Sequence, residues 1–215
     1  MDKIKALMST VEKNNMSAYF ANDKKEAAKI AESLLKDGDT VAVGGSMSLF
    51  ECGIIDMLRS GKYNFLDRYE KNLTRNEIND IFVRSFSADV YLSSVNAITQ
   101  NGEIYNVDGN GNRVAAIMYG PKSVILVVGK NKIVKDINAA VEYVKSVSAP
   151  KNCVRLSKNT YCSKTGKCVS LTEEKRDMCS GCTSSERICC DYTIISGSQT
   201  KNRIKIIFVN ENLGY

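Results

Sequence analysis

Seven of the eight cysteines fall within Cys153–Cys190, and their spacing suits thiols gathered around one ion. Cys162 and Cys168 bound the C-x5-C element CSKTGKC; Cys179 and Cys182 bound the C-x2-C element CSGC; Cys189 and Cys190 follow as an adjacent pair. A C-x2-C turn aims two sulfurs at one metal, and the glycine inside each loop permits the tight backbone such a site needs. Four soft thiolates suit zinc or an iron–sulfur cluster, and spacing does not choose between them. Redox-active free thiols and a structural disulfide set are the competing readings. The chain has no histidine. That excludes Ser-His-Asp and Cys-His pairs, HExxH zinc sites and histidine-ligated haem, leaving acid–base work to carboxylates, lysine, tyrosine, cysteine or a cofactor.

A second group of residues capable of chemistry begins after Thr40-Val-Ala-Val43, which reads as a short buried strand. Gly44-Gly-Ser-Met-Ser48 follows at once and opens a helix. Glycines let the backbone approach a ligand, helix N-terminal amides point outward and serine hydroxyls add donors, so the loop suits a phosphate or carboxylate. Tight-turn packing explains the same spelling. The loop is neither a Walker loop nor a GxGxxG turn. Glu51, in the first helical turns, is a candidate base or nucleophile, the alternative being a helix-surface carboxylate.

These residues need a scaffold, and 215 residues suffice for a domain with a sizeable core. Helix and strand signals alternate through residues 1–150. Asn22 or Asp23 caps a helix that Gly38 stops; helices are expected over Leu49–Arg59, from the capping box Thr74-Arg-Asn-Glu77, and over Val134–Val147, ending before Ala149-Pro150. Strands are expected at 40–43, 89–92, 103–107 and, most clearly, at Ser123–Val128. Such alternation predicts an α/β fold with a mostly parallel sheet flanked by helices. Residues 153–190 then read as a cysteine-rich metal-binding insertion within a single 1–215 domain, and residues 203–209 as a strand returning to the sheet.

No run approaches about 18 apolar residues, so no membrane span is expected. MDKIKALMSTVEKNN reads as an amphipathic helix rather than a signal peptide, which makes a cytoplasmic location the expectation. The net charge of +6 comes from widely spread lysines and arginines, a solvated surface rather than a nucleic-acid face.

Four blocks carry a family resemblance. Val43-Gly-Gly-Ser-Met-Ser-Leu-Phe-Glu-Cys-Gly53, Asn96-Ala-Ile-Thr-Gln-Asn-Gly102, Asp108-Gly-Asn-Gly-Asn-Arg113 and Tyr119-Gly-Pro-Lys-Ser-Val-Ile-Leu-Val-Val-Gly-Lys-Asn-Lys-Ile-Val134 resemble successive blocks of the LUD-domain, or lactate-utilisation, family. The ending Val209-Asn-Glu-Asn-Leu-Gly-Tyr215 fits as well. The resemblance implies a fold like that of ribose-5-phosphate isomerases and CoA transferases. It makes Gly44, Gly45, Ser46 and Ser48 the ligand-loop candidates and brings Asn96, Asp108, Asn110, Asn112 and Arg113 to the same cleft. Residues 108–112 read equally as a glycine/asparagine turn, and Arg113 either clamps a carboxylate or pairs on the surface. Similar chains carry CxKTGxC followed by cysteines ending in Arg-Ile-Cys. By that resemblance the expected ligands are Cys162, Cys168, Cys182 and Cys189, with Cys179 as substitute because Val169–Met178 interrupts the compact form; Cys153 and Cys190 fall outside the set.

Three functions are consistent with these features. The resemblance implies an accessory protein of L-lactate or organic-acid oxidation that works beside iron–sulfur partner proteins and binds a small anionic ligand. Alternatives are a CoA-transferase- or isomerase-like enzyme using Glu51, and a metal-stabilised binding module without turnover. A homo-oligomer fits any of the three.

Overall fold

The computed structural model describes residues 2–172 and 177–215. The order is α1 (Asp2–Lys13), β1 (Ser17–Ala21), α2 (Lys24–Ser33), β2 (Thr40–Val43), α3 (Met47–Glu51), α4 (Ile54–Leu58), β3 (Asn64–Leu66), α5 (Arg75–Arg84), β4 (Val90–Ser93), β5 (Ala97–Thr99) and β6 (Ile104–Asp108). Then come α6 (Asn112–Met118), β7 (Ser123–Gly129), β8 (Ile133–Val134), α7 (Ile137–Tyr143), α8 (Ala149–Arg155), α9 (Tyr161–Thr165), β9 (Asp191–Ile195) and β10 (Ile204–Val209).

The main sheet runs β1-β10-β7-β4-β2-β3 with every pairing parallel. Its central strands are buried on both faces, which is why SVILVV and IKIIFV are continuous apolar runs rather than alternating ones. In β7, Val124, Leu126 and Val128 pack toward α1, through Ile4, Leu7 and Val11. Ile125 and Val127 pack the opposite way, with Ala27 and Ala31 of α2 and Leu49, Ile54 and Leu58 of α3 and α4. Each such buried side chain contributes about 1.5–3 kcal/mol relative to exposure. The α/β architecture with a mostly parallel sheet, expected from the alternation, is what the chain forms.

Beside it stands a second sheet, β8-β5-β6-β9, in which β6 pairs antiparallel with β5 and β9. The sequence reading does not separate these short strands from the main sheet. One face of it shares the α1 core through Ile98 and Ile104; Tyr105 and Val107 pack against Ala140, Val144 and Ala149.

Two helices differ from the sequence expectation. The one expected over Leu49–Arg59 breaks at Gly53, whose φ of 72° ends α3 and restarts the chain as α4. The one expected to stop before Ala149-Pro150 continues through a π turn at Val144–Ser148 into α8. Pro150 follows the π turn and cannot donate back to it; the Lys145 carbonyl of that turn accepts from the Cys168 N–H at 2.9 Å. This extension carries Asn152, Cys153 and Arg155 to both regions described next.

Candidate functional site

The loops leaving β2, β4 and β7 meet at the carboxyl ends of adjacent parallel strands. β3 lies on one side of β2 and β4 on the other, so a topological switch point falls here, where open parallel sheets leave a crevice. A cleft of about 600 Å³ occupies it, bordered by Gly45, Ser46, Asn96, Asp108, Asn110, Asn112 and Arg113 from the sequence-derived candidates. Gly44 lies behind this wall. Its N–H donates to the Leu92 carbonyl, 2.9 Å away. A Cβ at Gly44 would stand 2.6 Å from Ser93 Oγ and 2.8 Å from the Tyr91 hydroxyl, so glycine is required by close approach. Ser46 caps α3, its Oγ accepting from Leu49 N–H at 3.4 Å.

Ser48 is buried and faces inward, not toward a ligand. Its Oγ lies 3.1 Å from Lys132 Nζ and 3.5 Å from Ser94 Oγ. Lys132, only 3% exposed, also donates to Ser94 Oγ at 2.9 Å, and Ser94 in turn donates to the Val127 carbonyl at 2.7 Å. Burial, then the charge of Arg113, push the Lys132 amine down to about 7, against an upward pull from Glu51 and Cys52. Lys132 and Ser94 both border the cleft. Sequence reasoning missed both. Lys132 stands in the block 119–134, but a Lys-Asn-Lys run after a strand reads as a solvated turn.

Arg113 is 9% exposed and its guanidinium is already occupied. Nη1 donates to Ser94 O at 3.3 Å and Asn106 Oδ1 at 3.0 Å; Nη2 donates to Asn96 Oδ1 and Val107 O, both at 2.9 Å. It therefore ties β4, β5 and β6 together and orients Asn96. Asp108 accepts from the Arg113 and Val114 amides at 3.1 and 3.2 Å, holding the start of α6. The other basic residues on the wall are Arg68, Arg75, Lys132, Arg155, Lys158 and Arg187, against the carboxylates Asp108 and Glu186. Arg68 lies 4.5 Å over the Phe82 ring, which fixes its direction. The cleft is polar and cationic, suited to an anion.

Glu51 is not part of that wall. Its carboxylate accepts from the Gly214 N–H at 2.8 Å, tying the segment after β10 to α3. Glycine at 214 also fits tightly: a Cβ there would lie 3.0 Å from Ser48 Oγ.

Behind the cleft, Cys153, Cys162, Cys168, Cys182 and Cys189 border a second cavity of about 30 Å³, walled by Tyr105, Val107, Val144 and Ala149. Four of these five thiols are the sequence-derived ligand set; Cys153 joins them because the helix runs on, and Cys179 is exposed. Residues 173–176, inside the interrupting stretch Val169–Met178, lie outside the described residues. Burial pushes the Cys189 thiol up to about 12, and the other four thiols push the same way. Thiolates crowded together repel, and a bound cation relieves that repulsion. Among the described residues, no three Cys, Asp or Glu side chains stand in positions to hold a metal ion. Cys162 Sγ instead contacts Thr160 Oγ1 at 3.3 Å, and Cys168 Sγ contacts Ser170 Oγ at 3.4 Å. The soft donor set fits zinc or an iron–sulfur cluster, provided these thiols turn from the hydroxyls to the cavity.

The two cavities share a wall. Val107, Arg187 and Ile188 border both, with Cys189 on the thiol side and Cys190 on the cleft side. Among the described residues no helix is long and apolar enough to cross a membrane.

A DUF162 family protein from Deinococcus radiodurans is similar at 15% identity and TM-score 0.52, over 97% of this chain and 96% of that one, a likeness of fold. The translation initiation factor eIF-2B of Pyrococcus horikoshii matches at 19% identity and TM-score 0.36, covering 53% of this chain and 48% of that chain. Ribose 5-phosphate isomerase from Plasmodium falciparum matches at 16% identity and TM-score 0.33, covering 52% of each chain. No curated protein matches. The family model described as the LUD domain matches residues 4–209, and the chain belongs to the LUD-domain family.

Proposed function

We propose that this chain is an accessory protein of L-lactate or related organic-acid oxidation, binding a small anion in the cleft and carrying a metal on its clustered thiols. Membership of the LUD-domain family supports a role related to lactate utilisation at the level of the family. The observation that carries the fuller reading is the shared wall, which sets the thiol cavity directly behind a cationic cleft. Cys162, Cys168, Cys182 and Cys189, with Cys153 beside them, would hold the metal. An iron–sulfur cluster bound there would supply one-electron transfer, and zinc would supply structure alone. The chain's own residues do the rest: Arg68, Arg75 and Arg187 attract and orient the anion, while Val107 and Ile188 keep water from the thiols. Iron–sulfur proteins of the same oxidation system are the partners this role requires, and the expected location is cytoplasmic. The reading does not run through Glu51, whose carboxylate is engaged with Gly214.

Anaerobic purification followed by metal analysis and an absorbance spectrum tests it. A brown protein with iron and sulfide supports the relay. A colourless protein with stoichiometric zinc removes electron transfer through this site and favours the binding-module reading.

A further inference from the structure

Lys132 is the most deeply buried cation bordering the cleft, 3% exposed, and its partners are neutral. Nζ touches two hydroxyls, Ser48 Oγ at 3.1 Å and Ser94 Oγ at 2.9 Å. Among the described residues no carboxylate forms an ion pair with it. An ammonium buried without a counter-ion is expensive, whereas a neutral amine in the same place is not. Gly214 packs close against the amine: a Cβ there would lie 3.4 Å from Nζ. Lys132 and Ser94 both line the cationic cleft. The geometry is that of a desolvated lysine with hydroxyls to move protons and an arginine-lined entrance to hold an anion.

We infer that Lys132 is a reactive amine that condenses with a small carboxylate-bearing carbonyl compound of the 2-oxo acid class, forming an imine. The step rests on the reading of the cleft as an anion site. The Nζ lone pair attacks the carbonyl carbon, and the carbonyl oxygen takes up a proton, giving a carbinolamine. That oxygen then leaves as water with the two hydrogens the amine originally carried, and a C=N bond replaces C=O. No oxidant or reductant is consumed. Ser48 and Ser94, within hydrogen-bond reach of Nζ, relay the protons; Arg68 and Arg75 hold the carboxylate. A neutral amine at physiological pH is the requirement, and the groups facing Lys132 set it. Burial and Arg113 favour the neutral form and Glu51 opposes it; Cys52, itself pushed up to about 12 by burial, stays a thiol.

The test uses the full chain, 2-oxobutyrate and sodium cyanoborohydride near neutral pH, with peptide mapping by mass spectrometry. Lys132 holds a free-amine fraction several hundred-fold above that of a surface lysine, so labelling at Lys132 should outpace every other lysine by at least about 100-fold. Its rate should level off above about pH 7, while surface labelling keeps climbing. 2-Hydroxybutyrate, with the same charge and no carbonyl, should slow the labelling by competition. Lys132→Arg should abolish it while retaining the cation. Labelling scattered over surface lysines, with calorimetric binding of both acids intact and weakened by Arg68→Ala, overturns the imine and leaves the anion cleft standing. Neither labelling nor binding overturns both.

Discussion

Lys132→Met puts the electrostatics of the cleft floor to a test that needs no ligand. Methionine matches the length of the lysine stem and removes the amine. The folded pKa of about 7 lies below the ordinary value of 10.5. The unfolded chain therefore binds more protons across that window, and stability attributable to this residue rises with pH. Below about pH 7 the penalty is fully present, on the order of 5 kcal/mol for a shift of this size, and it vanishes above the unfolded pKa. Between about pH 7 and about pH 9, linkage gives the native lysine a gain of about 2 kcal/mol that methionine cannot show. The lost hydrogen bonds to Ser48 and Ser94 shift the variant by a constant amount and leave this slope untouched. Urea unfolding of both proteins across that range measures it, because other titrating groups cancel in the difference. A difference that stays flat, or that grows in favour of the variant as pH rises, refutes the assignment of a neutral buried amine.

Other outcomes follow from single contacts. Gly44→Ala should lose about 1–3 kcal/mol, since its Cβ meets Ser93 Oγ and the Tyr91 hydroxyl inside 3 Å; an unchanged thermal midpoint contradicts the packing. Arg113→Ala removes four hydrogen bonds, although Asn96 Oδ1 and Asn106 Oδ1 each keep a backbone donor, and should destabilise by about 3–5 kcal/mol, with Arg113→Lys recovering little because an ammonium cannot span the same acceptors; denaturant midpoints decide. Cys162→Ser and Cys189→Ser should each lower bound metal at least about tenfold, whereas Cys179→Ser should not; elemental analysis after gel filtration reads this. Glu51→Gln should leave anion affinity within about twofold, because its amide oxygen still accepts from Gly214 N–H and the residue is off the wall; calorimetry checks it, and a large loss of affinity revives Glu51 as a working group.

Much of this was legible along the chain because it is local. The α/β class follows from alternating strand and helix periods, and the Asp23 and Thr74 caps from residue types within three positions of the helix start. The glycine-serine loop is legible because glycine followed by serine at a strand end has few conformational uses. The cysteine spacing likewise narrows the chemistry to a thiolate metal site, redox-active thiols or disulfides, since thiols this dense have few other uses. These readings need only neighbours in sequence.

What the sequence could not decide depends on contacts between distant segments. Lys132 meets Ser48 and Ser94 across 84 and 38 residues, and only that burial lowers the pKa of a surface-like lysine. Arg113 changes from a ligand clamp to a structural tie because the segments at β4, β5 and β6 bring it four acceptors, not because of anything in its own block. Cys153 joins the other thiols only because a π turn lets the helix continue past Pro150. The sequence by itself determined which chemistries are available: thiolate, amine, hydroxyl and carboxylate, never imidazole. The tertiary structure decided which of those groups share a wall, since burial and distance, not residue type, set protonation and reach.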